Sequence, residues 1–520
     1  MLSNKVRASS LGEDPQIESG CVILDRRRGR EQAMRERRSD SGSKLPSVRD
    51  WANQVFSRTS GAPLRDGNQV TLLENASQNY PAWLTAIGAA RRSIHFEMYI
   101  VHEDDQGERF AEALVGKASE GVEVRLLYDW IGGVGKTSRR FWNRLRAAGV
   151  DVRCYNPPRF DRPLGWLSRD HRKGIIVDGT IAFVTGLCVG RMWAGDPERN
   201  VDPWRDTGIE VRGPAVADVE AAFAEAWASA GDPLPDDPSR TVPPAAGDVS
   251  LRVVATVPNT AGLFRVDQLV AAMARTSLWL TDAYYGGTAP YVEALRAAAR
   301  DGVDVRLLVP GASDIPLIRP FSRAGYRPLL EAGVRVFEWN GPMIHAKTAV
   351  ADGRWSRVGS TNLNIVSWLS NRELDVIVED ESFARQMEEM YLRDLHNATE
   401  IVLRRNRVRA PGAPSRRQHP SARGGGSSGR VVAGAVRVGN TVAAAITNKR
   451  ILEPVEANIA LIAGVVVAAL AVLAFVYPRG VAYPFGVFAA WLGVAMLYRG
   501  LKLLRSRRYA ARTASADPIR

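Results

Sequence analysis

The sequence predicts an α/β fold: two related, pseudo-symmetric lobes followed by a C-terminal two-helix transmembrane hairpin. Three observations carry that expectation. The stretch ALVGKASEGVEVRLL at 113–127 returns as ALRAAARDGVDVRLL at 294–308. The stretch HRKGIIVDG at 171–179 returns as HAKTAVADG at 345–353, with His, Lys, Asp and Gly at the same spacing. Two runs near the end of the 520 residues, at 459–477 and 481–498, hold no charged side chain.

Taken in order, residues 1–46 are polar and of mixed charge (DRRRGREQAMRERRSDSGSK), which predicts a disordered tail. They hold no apolar run, so no secretory leader is expected. The first lobe is expected over 47–232. It contains an amphipathic helix, a glycine stop and a buried strand at 113–127, and the same grammar at AAGVDVRCYNP (147–157). The Pro/Asp/Ser-rich segment 233–248 reads as a joint. The second lobe, 249–403, repeats the grammar at 294–308 and at EAGVRVFEWNG (331–341). Helices alternating with apolar strands give an α/β layered unit in each lobe. A pseudo-twofold axis between related lobes would bring the two His-x-Lys stretches together.

Residues 404–430 read as a flexible basic linker. Residues 431–458 form a juxtamembrane segment: either a short amphipathic element against the membrane face or a helix packed on the second lobe. Each uncharged run is about long enough to cross a bilayer core, and only Pro478-Arg479-Gly480 separates them, which predicts a tight hairpin. Lys449 and Arg450 precede the first run; Arg499, Lys502, Arg505, Arg507 and Arg508 follow the second, in a basic tail at 499–520. The loop holds one Arg, so both ends, and the lobes with them, are expected in the cytoplasm.

The net charge is +13, but its distribution matters more than its size. Residues 404–520 hold 19 Lys/Arg against Glu453, Glu456 and Asp517. The remaining 403 residues carry 50 basic and 53 acidic side chains, a balance of −3. A nuclease concentrates its basic surplus where the nucleic acid lies, so no nucleic-acid partner is expected. Cys21, Cys154 and Cys188 are too few and too scattered for a disulfide framework and fit a reducing compartment.

The repeated motif carries the chemistry. Residues two apart on a strand share a face, so His171 projects with Lys173 and His345 with Lys347. Asp178-Gly179 and Asp352-Gly353 suit two-residue hairpin turns, and either aspartate could also orient groups at the site. The second hairpin leads into Gly359-Ser360-Thr361-Asn362, a small polar loop able to offer donors to an anion. Two imidazoles and two ammonium groups suit phosphoryl transfer: one histidine attacks phosphorus, the other moves the proton, and the lysines with Asn362 neutralise the non-bridging oxygens. That chemistry needs no cofactor, and the lobes hold no metal-ligand spacing. GGVGKTS at 132–138 imitates a phosphate loop, but Trp130 stands where the first glycine is required.

The doubled H-x-K-x-x-x-x-D motif with its following G-S-x-N resembles the phospholipase D superfamily. The flanking stretches IHFEMYIVHEDDQG (94–107), WRDTGIEVRGPAV (204–216) and HAKTAVADGRWSRVGSTNLNIVSWLSNRELDVIV (345–378) are similar to its bacterial cardiolipin synthase branch. The resemblance covers about 68–403. It implies two phospholipase D-like α/β/α sandwich lobes, with His171 as nucleophile and His345 as acid/base. It also implies carboxylates that cross between lobes, Glu373 orienting His171 and Asp206 orienting His345, and phosphate contacts from Gly186, Gly359, Ser360 and Asn362. The first motif departs from the pattern at Thr185-Gly186-Leu187-Cys188, where Cys188 replaces the asparagine.

The activity so implied is phosphatidyl transfer in the bacterial inner membrane: two phosphatidylglycerols joined into cardiolipin with release of glycerol. Three other readings use the same residues. They are a hydrolase releasing phosphatidic acid, a phosphodiesterase or nuclease, and a lipid-sensing relic. The sequence leaves the acceptor alcohol and the oligomeric state open. Trp166, Trp193, Trp204 and Trp368 are candidates to wall the site entrance, and equally candidates for core packing.

Overall fold

The architecture follows from a unit used four times: an amphipathic helix stopped by a left-handed glycine, then a buried strand. A computed structural model describes residues 48–159, 167–235, 241–315, 318–403, 449–451, 465 and 468–515. The N-terminal tail, the basic linker, residues 459–464, 466 and 467 of the first uncharged run, and Trp166 lie outside the described residues. The chain divides into two units, Met1–Phe56 and Ser57–Arg520. The described part of the first is the opening of the helix Val48–Ser60; all that follows concerns the second.

Its first half contributes seven strands: β1 (Arg65–Glu74), β2 (Ser93–Met98), β3 (Glu123–Asp129), β4 (Asp151–Tyr155), β5 (Lys173–Val177), β6 (Ile181–Thr185) and β7 (Thr207–Arg212). The second half contributes β8 (Val249–Thr256), β9 (Ser277–Thr281), β10 (Asp304–Pro310), β11 (Arg335–Trp339), β12 (Thr348–Ala351), β13 (Trp355–Gly359), β14 (Glu373–Val378) and β15 (Ala398–Val402). The helix Asp105–Ser119 starts where Asp104 accepts the Gln106 and Gly107 amides, and it stops before Gly121 at φ +88°. Gly149, Gly302 and Gly333 end three further helices at φ between +93° and +97°. Glycine takes this conformation at least cost and turns each chain straight into β3, β4, β10 or β11.

The strands form one sheet. Its order runs β15-β11-β10-β9-β12-β13-β14-β8 through the second half and continues β1-β7-β6-β5-β2-β3-β4 through the first. β2, β3 and β4 are mutually parallel, as are β9, β10 and β11. β5–β6 and β12–β13 are antiparallel hairpins. Asp178 and Gly179 (φ +52° and +64°) and Asp352 and Gly353 (φ +52° and +61°) make their turns, the double positive φ that suits a two-residue connection. β1 joins the halves through β8, at Arg65–Leu251 and Asn68–Val249.

Two large apolar clusters hold the strands. One packs Trp83, Phe96, Phe110 and Trp142 of the first half and takes in Ala283 and Met343 of the second. The other draws on both halves, joining Phe223 and Trp227 of the helix Val216–Ser229 to Leu374 and Val376 of β14 and to Met387. The halves therefore share a core and do not merely touch.

The C-terminal region differs from expectation in three places. A further strand, β16 (Lys449–Ile451), taken above as juxtamembrane, pairs in parallel with β15. Pro478-Arg479-Gly480, taken as a loop, is helical: the chain leaves helix at Tyr477 and re-enters at Pro478, the first-turn position that proline favours. That helix continues to Ser515, 38 residues in all, because the basic tail is rich in Leu, Arg and Ala, all good helix formers. Its segment Pro478–Tyr498, 21 residues with a mean hydropathy of 1.7, is long and apolar enough to cross a membrane.

Candidate active site

The sheet brings the two motifs together by a simple device. Each motif histidine sits at the mouth of its hairpin, just ahead of β5 or β12, and the segment before it pairs with the other half. Asp170 forms a parallel bridge to Arg372, and Ile344 forms one to Arg205. The His171 amide donates to the Arg372 carbonyl at 3.0 Å, and the His345 amide to the Arg205 carbonyl at 2.7 Å. Glu373 follows Arg372, and Asp206 follows Arg205. The two bridges therefore set a carboxylate from each half beside the histidine of the other.

The side chains complete that arrangement. His171 Nδ1 lies 2.8 Å from Glu373 Oε2, and His345 Nδ1 lies 2.8 Å from Asp206 Oδ2. A carboxylate at Nδ1 fixes the tautomer that leaves Nε2 free as a base or nucleophile. Ser360 Oγ donates to Glu373 Oε2 at 2.6 Å and Asn371 Nδ2 to Oε1 at 3.0 Å. Asp206 accepts from Trp193 Nε1 at 3.1 Å and from the Thr207 amide at 2.9 Å. Lys173 Nζ donates to the His171 carbonyl at 2.5 Å, and Lys347 Nζ donates to the His345 carbonyl. Lys347 Nζ also approaches His345 Nδ1 at 3.0 Å. That nitrogen cannot donate to Asp206 and accept from Lys347 at once, and the carboxylate takes it.

Little of the reacting groups is accessible to solvent: Lys173, Lys347, Asp206 and Glu373 are fully buried, and the imidazoles are 5–6% exposed. Burial, followed by the charges of Lys173 and Lys347, pushes His171 well below its ordinary value of 6.5. Burial and then Lys347 pull His345 down to about 4, against the opposing pull of Asp206. Both shifts favour the neutral imidazole over its cation. Burial lowers Lys347 to about 8. It also raises Glu373 above the usual carboxylate value. Asp206 is pushed up by burial, but its contact with His345 and the nearby Lys347 outweigh that and hold it below 3.8.

Several residues expected at the site have other work. The Asp178 carboxylate accepts the Arg91, Arg92 and Ser93 amides at 2.7–3.2 Å. Asp352 accepts those of Arg275, Thr276 and Ser277 at 2.8–3.1 Å. Each tethers its hairpin turn to the start of β2 or β9. A strand of five residues separates Asp178 from the histidine end, about 17 Å at the usual rise. Neither aspartate orients a reacting group. The Gly186 and Gly359 amides donate to the Thr207 and Lys347 carbonyls and are not free for phosphate. These glycines provide clearance instead: a Cβ at Gly186 would collide with Asp206 Oδ1, and one at Gly359 with Asp375. Ser360 is committed to Glu373. Asn362 is 4% exposed; its Oδ1, an acceptor, has no partner among the described residues, and its Nδ2 is the atom able to donate to an anion. Cys188 is a buried free thiol beneath the lysines, and burial raises its pKa.

The aromatic candidates divide. Trp193 and Trp204 stand 5.6 Å from the His345 ring, whereas Trp368 packs on Phe264 and Tyr291. Two aromatic residues escaped the sequence reading. Tyr99 meets the His171 ring edge-on at 4.8 Å, with Lys173 Nζ 5.0 Å above it; Tyr284 stands 5.7 Å from His345 and 5.8 Å from Lys347 Nζ. Arg169 was missed too. Its carbonyl accepts from the Arg372 amide, whose own carbonyl accepts from His171, so residues 169 and 171 face the same way. Its charge helps depress His171. Strand alternation alone pointed to it. Among the described residues, no three His, Cys, Asp or Glu side chains gather as a metal-ligand set.

A sheet of mixed strands carrying two His-x-Lys pairs, each backed by a carboxylate from the opposite half, defines a phospholipase D-like enzyme. The family model described as "Cardiolipin synthase, PLD-like domain" matches residues 83–192 and 270–395. Cardiolipin synthase A of Pseudomonas fluorescens (strain SBW25) is 35% identical over 349 residues, 65% of this chain and 71% of that protein. Cardiolipin synthase A of Pseudomonas aeruginosa is 36% identical over 66% of this chain and 70% of its own. Cardiolipin synthase of Alkalihalophilus pseudofirmus is 31% identical over 65% and 68%. Among solved structures, phosphatidylserine synthase from Haemophilus influenzae shares the fold with a TM-score of 0.55 at 14% identity, over 67% of this chain and 91% of that one. The chain belongs to the cardiolipin synthase family of phospholipase D-like phosphatidyltransferases.

Proposed function

We propose that the enzyme joins two phosphatidylglycerols into cardiolipin and free glycerol through a phosphatidyl-histidine. His171 Nε2 attacks phosphorus and the bond to the departing glycerol oxygen breaks, while His345 gives that oxygen its proton. The second phosphatidylglycerol then enters, His345 removes its hydroxyl proton, and the freed oxygen attacks phosphorus as the bond to His171 breaks. The diester anion lying between the imidazoles offsets the lysine charges and raises His345 towards the range in which it can donate. Lys173, Lys347 and Asn362 take up the charge growing on the non-bridging oxygens. The observation that carries this reading is the pair of 2.8 Å contacts from each Nδ1 to a carboxylate of the other half.

The finer placement belongs to the same proposal. The two halves are pseudo-symmetric lobes around one reaction centre, and the uncharged residues at 459–498 hold the enzyme in the bacterial inner membrane with the lobes on the cytoplasmic side. The cluster Arg499, Lys502, Arg505, Arg507 and Arg508, against the single Arg479 between the runs, supports that orientation. The −3 balance over residues 1–403 supports a lipid over a nucleic acid as partner.

Purified full-length enzyme given phosphatidylglycerol alone should yield cardiolipin and glycerol in equal amounts. Phosphatidic acid as the main product would favour the hydrolase reading. Cleavage of a nucleic acid with no lipid product would sink the lipid assignment.

A further inference from the structure

Three residues beyond Asn362 the chain forms a short helix, Ile365–Leu369, whose two sides face different worlds. On its inner side Ser367 and Trp368 are 2% exposed. Ser367 hydrogen-bonds Glu373, the partner of His171, and Trp368 Nε1 reaches Asp267 Oδ2 at 3.3 Å. On its outer side Ile365, Val366 and Leu369 are 52%, 43% and 37% exposed. Asn364 caps the helix by accepting the Val366 and Ser367 amides at 3.1 and 3.0 Å, and its Nδ2 donates to the Tyr284 carbonyl at 2.8 Å. The outer face therefore begins beside the tyrosine that flanks His345.

Two more exposed apolar side chains extend this face. Phe321, 65% exposed, lies across Gly286 from Asn364; a Cβ at that glycine would meet Asn364 at 3.3 Å and Phe321 at 3.9 Å. Leu167, 49% exposed, precedes Ser168, whose Oγ donates to the Ser370 carbonyl at 3.0 Å. Next in the chain comes Arg169, a cation between this face and His171. Five large exposed apolar side chains gathered on this side of the site form a patch of the kind that marks a membrane, protein or ligand contact.

We infer that this face, centred on Ile365, Val366 and Leu369, is seated in the lipid interface and passes phospholipid from the bilayer into the site. The inference rests on the phosphatidyl-transfer reading given above. Two observations favour lipid as the occupant. The face is continuous with the reactive groups through Ser367 and Glu373, and the same chain carries a helix able to cross a membrane, Pro478–Tyr498, which holds the enzyme at a bilayer. Acyl chains would lie along the apolar rim while the anionic headgroup moves inward past Arg169. In the first half the matching helix, Arg191–Ala194, is not exposed in this way, so lipid enters from one side.

The test uses the full-length enzyme in phosphatidylcholine vesicles, with phosphatidylglycerol supplied either in the bilayer or as the water-soluble dihexanoyl form. The double variant Ile365→Ser/Val366→Ser should lower turnover of the bilayer substrate at least about tenfold, the effect of moving two aliphatic side chains' worth of interface contact. Its turnover of the soluble substrate should match the wild type. Ile365→Trp, a residue suited to membrane interfaces, should retain bilayer turnover. Equal losses on both substrates, or no loss on either, would overturn the inference. So would a change of oligomeric state in the serine variant, which would mark the face as a protein contact. A wild-type enzyme that transfers neither form would instead sink the proposed function.

Discussion

The two histidines sit in matched frames with unmatched surroundings, and the difference separates what the frame does from what the chemistry needs. Both are bridged to the opposite half, and both carry a carboxylate at Nδ1 at 2.8 Å. Around His345 the setting is aromatic and ionic: Trp193, Trp204 and Tyr284 surround the ring, and Asp206 is held ionised. Around His171 a single ring, Tyr99, meets the imidazole edge-on, and the carboxylate is the more heavily hydrogen-bonded: Ser360, Ser367 and Asn371 converge on Glu373, whose pKa burial raises. Asp206, whose anion the contact with His345 favours, stabilises a cationic imidazole, which suits the residue that carries a proton between alcohols. Glu373, whose anion burial disfavours, orients the His171 ring so that Nε2 is presented to phosphorus, which suits a nucleophile.

The largest effects should come from the histidines. His171→Ala and His345→Ala should each reduce transfer by at least about 10³-fold, because each phosphoryl or proton step depends on its own group. Steady-state cardiolipin synthesis checks this, and near-normal turnover by either variant would remove that residue from the mechanism. The carboxylates come next and should not be equal. Asp206→Asn should cost on the order of 10³-fold and Glu373→Gln less, since the Asp206 anion is the more favoured of the two and sits beside the imidazole that carries the proton. Equal kcat losses would erase the proposed division of roles.

Clearance can be tested through Gly186. Replacing it with Ala drives a methyl group into Asp206, so kcat should fall with a stability loss of about 1–3 kcal/mol. Gly359→Ala, which strikes Asp375, should cost similar stability with a smaller change in kcat. Thermal unfolding and turnover together separate the two. The smallest effect concerns pH. Lys347, lowered to about 8, loses its proton as pH rises through that value, so kcat/KM should decline above about pH 8. A rate that stays level to about pH 10 would show that its charge is not needed.

The duplicated frame was legible because its determinants are local. Asp178-Gly179 and Asp352-Gly353 announce turns through residues that tolerate positive φ, and Gly121, Gly149, Gly302 and Gly333 mark helix ends. The histidine and lysine pairs were legible from spacing. Their carboxylate partners were not: Glu373 and Asp206 come from resemblance, because only the tertiary bridges at Arg372 and Arg205 bring them across. Tyr99, Tyr284 and Ser367 carry no local signal, as each acts through a neighbour remote in sequence. Asp178 and Asp352, candidates for the site from their place in the motif, make their contacts to backbone amides at the far ends of their strands. Gly186 and Gly359 were assigned to phosphate when their actual property is the absence of a side chain.

The central claim is that one histidine becomes covalently phosphatidylated while the other only moves protons. The direct measurement is mass spectrometry of enzyme mixed briefly with phosphatidylglycerol and quenched in alkali, where a phosphohistidine survives. The account predicts a phosphatidyl group on the peptide containing His171, absent from the His171→Ala variant. An adduct on His345 instead, or none at any time while cardiolipin accumulates, would contradict it.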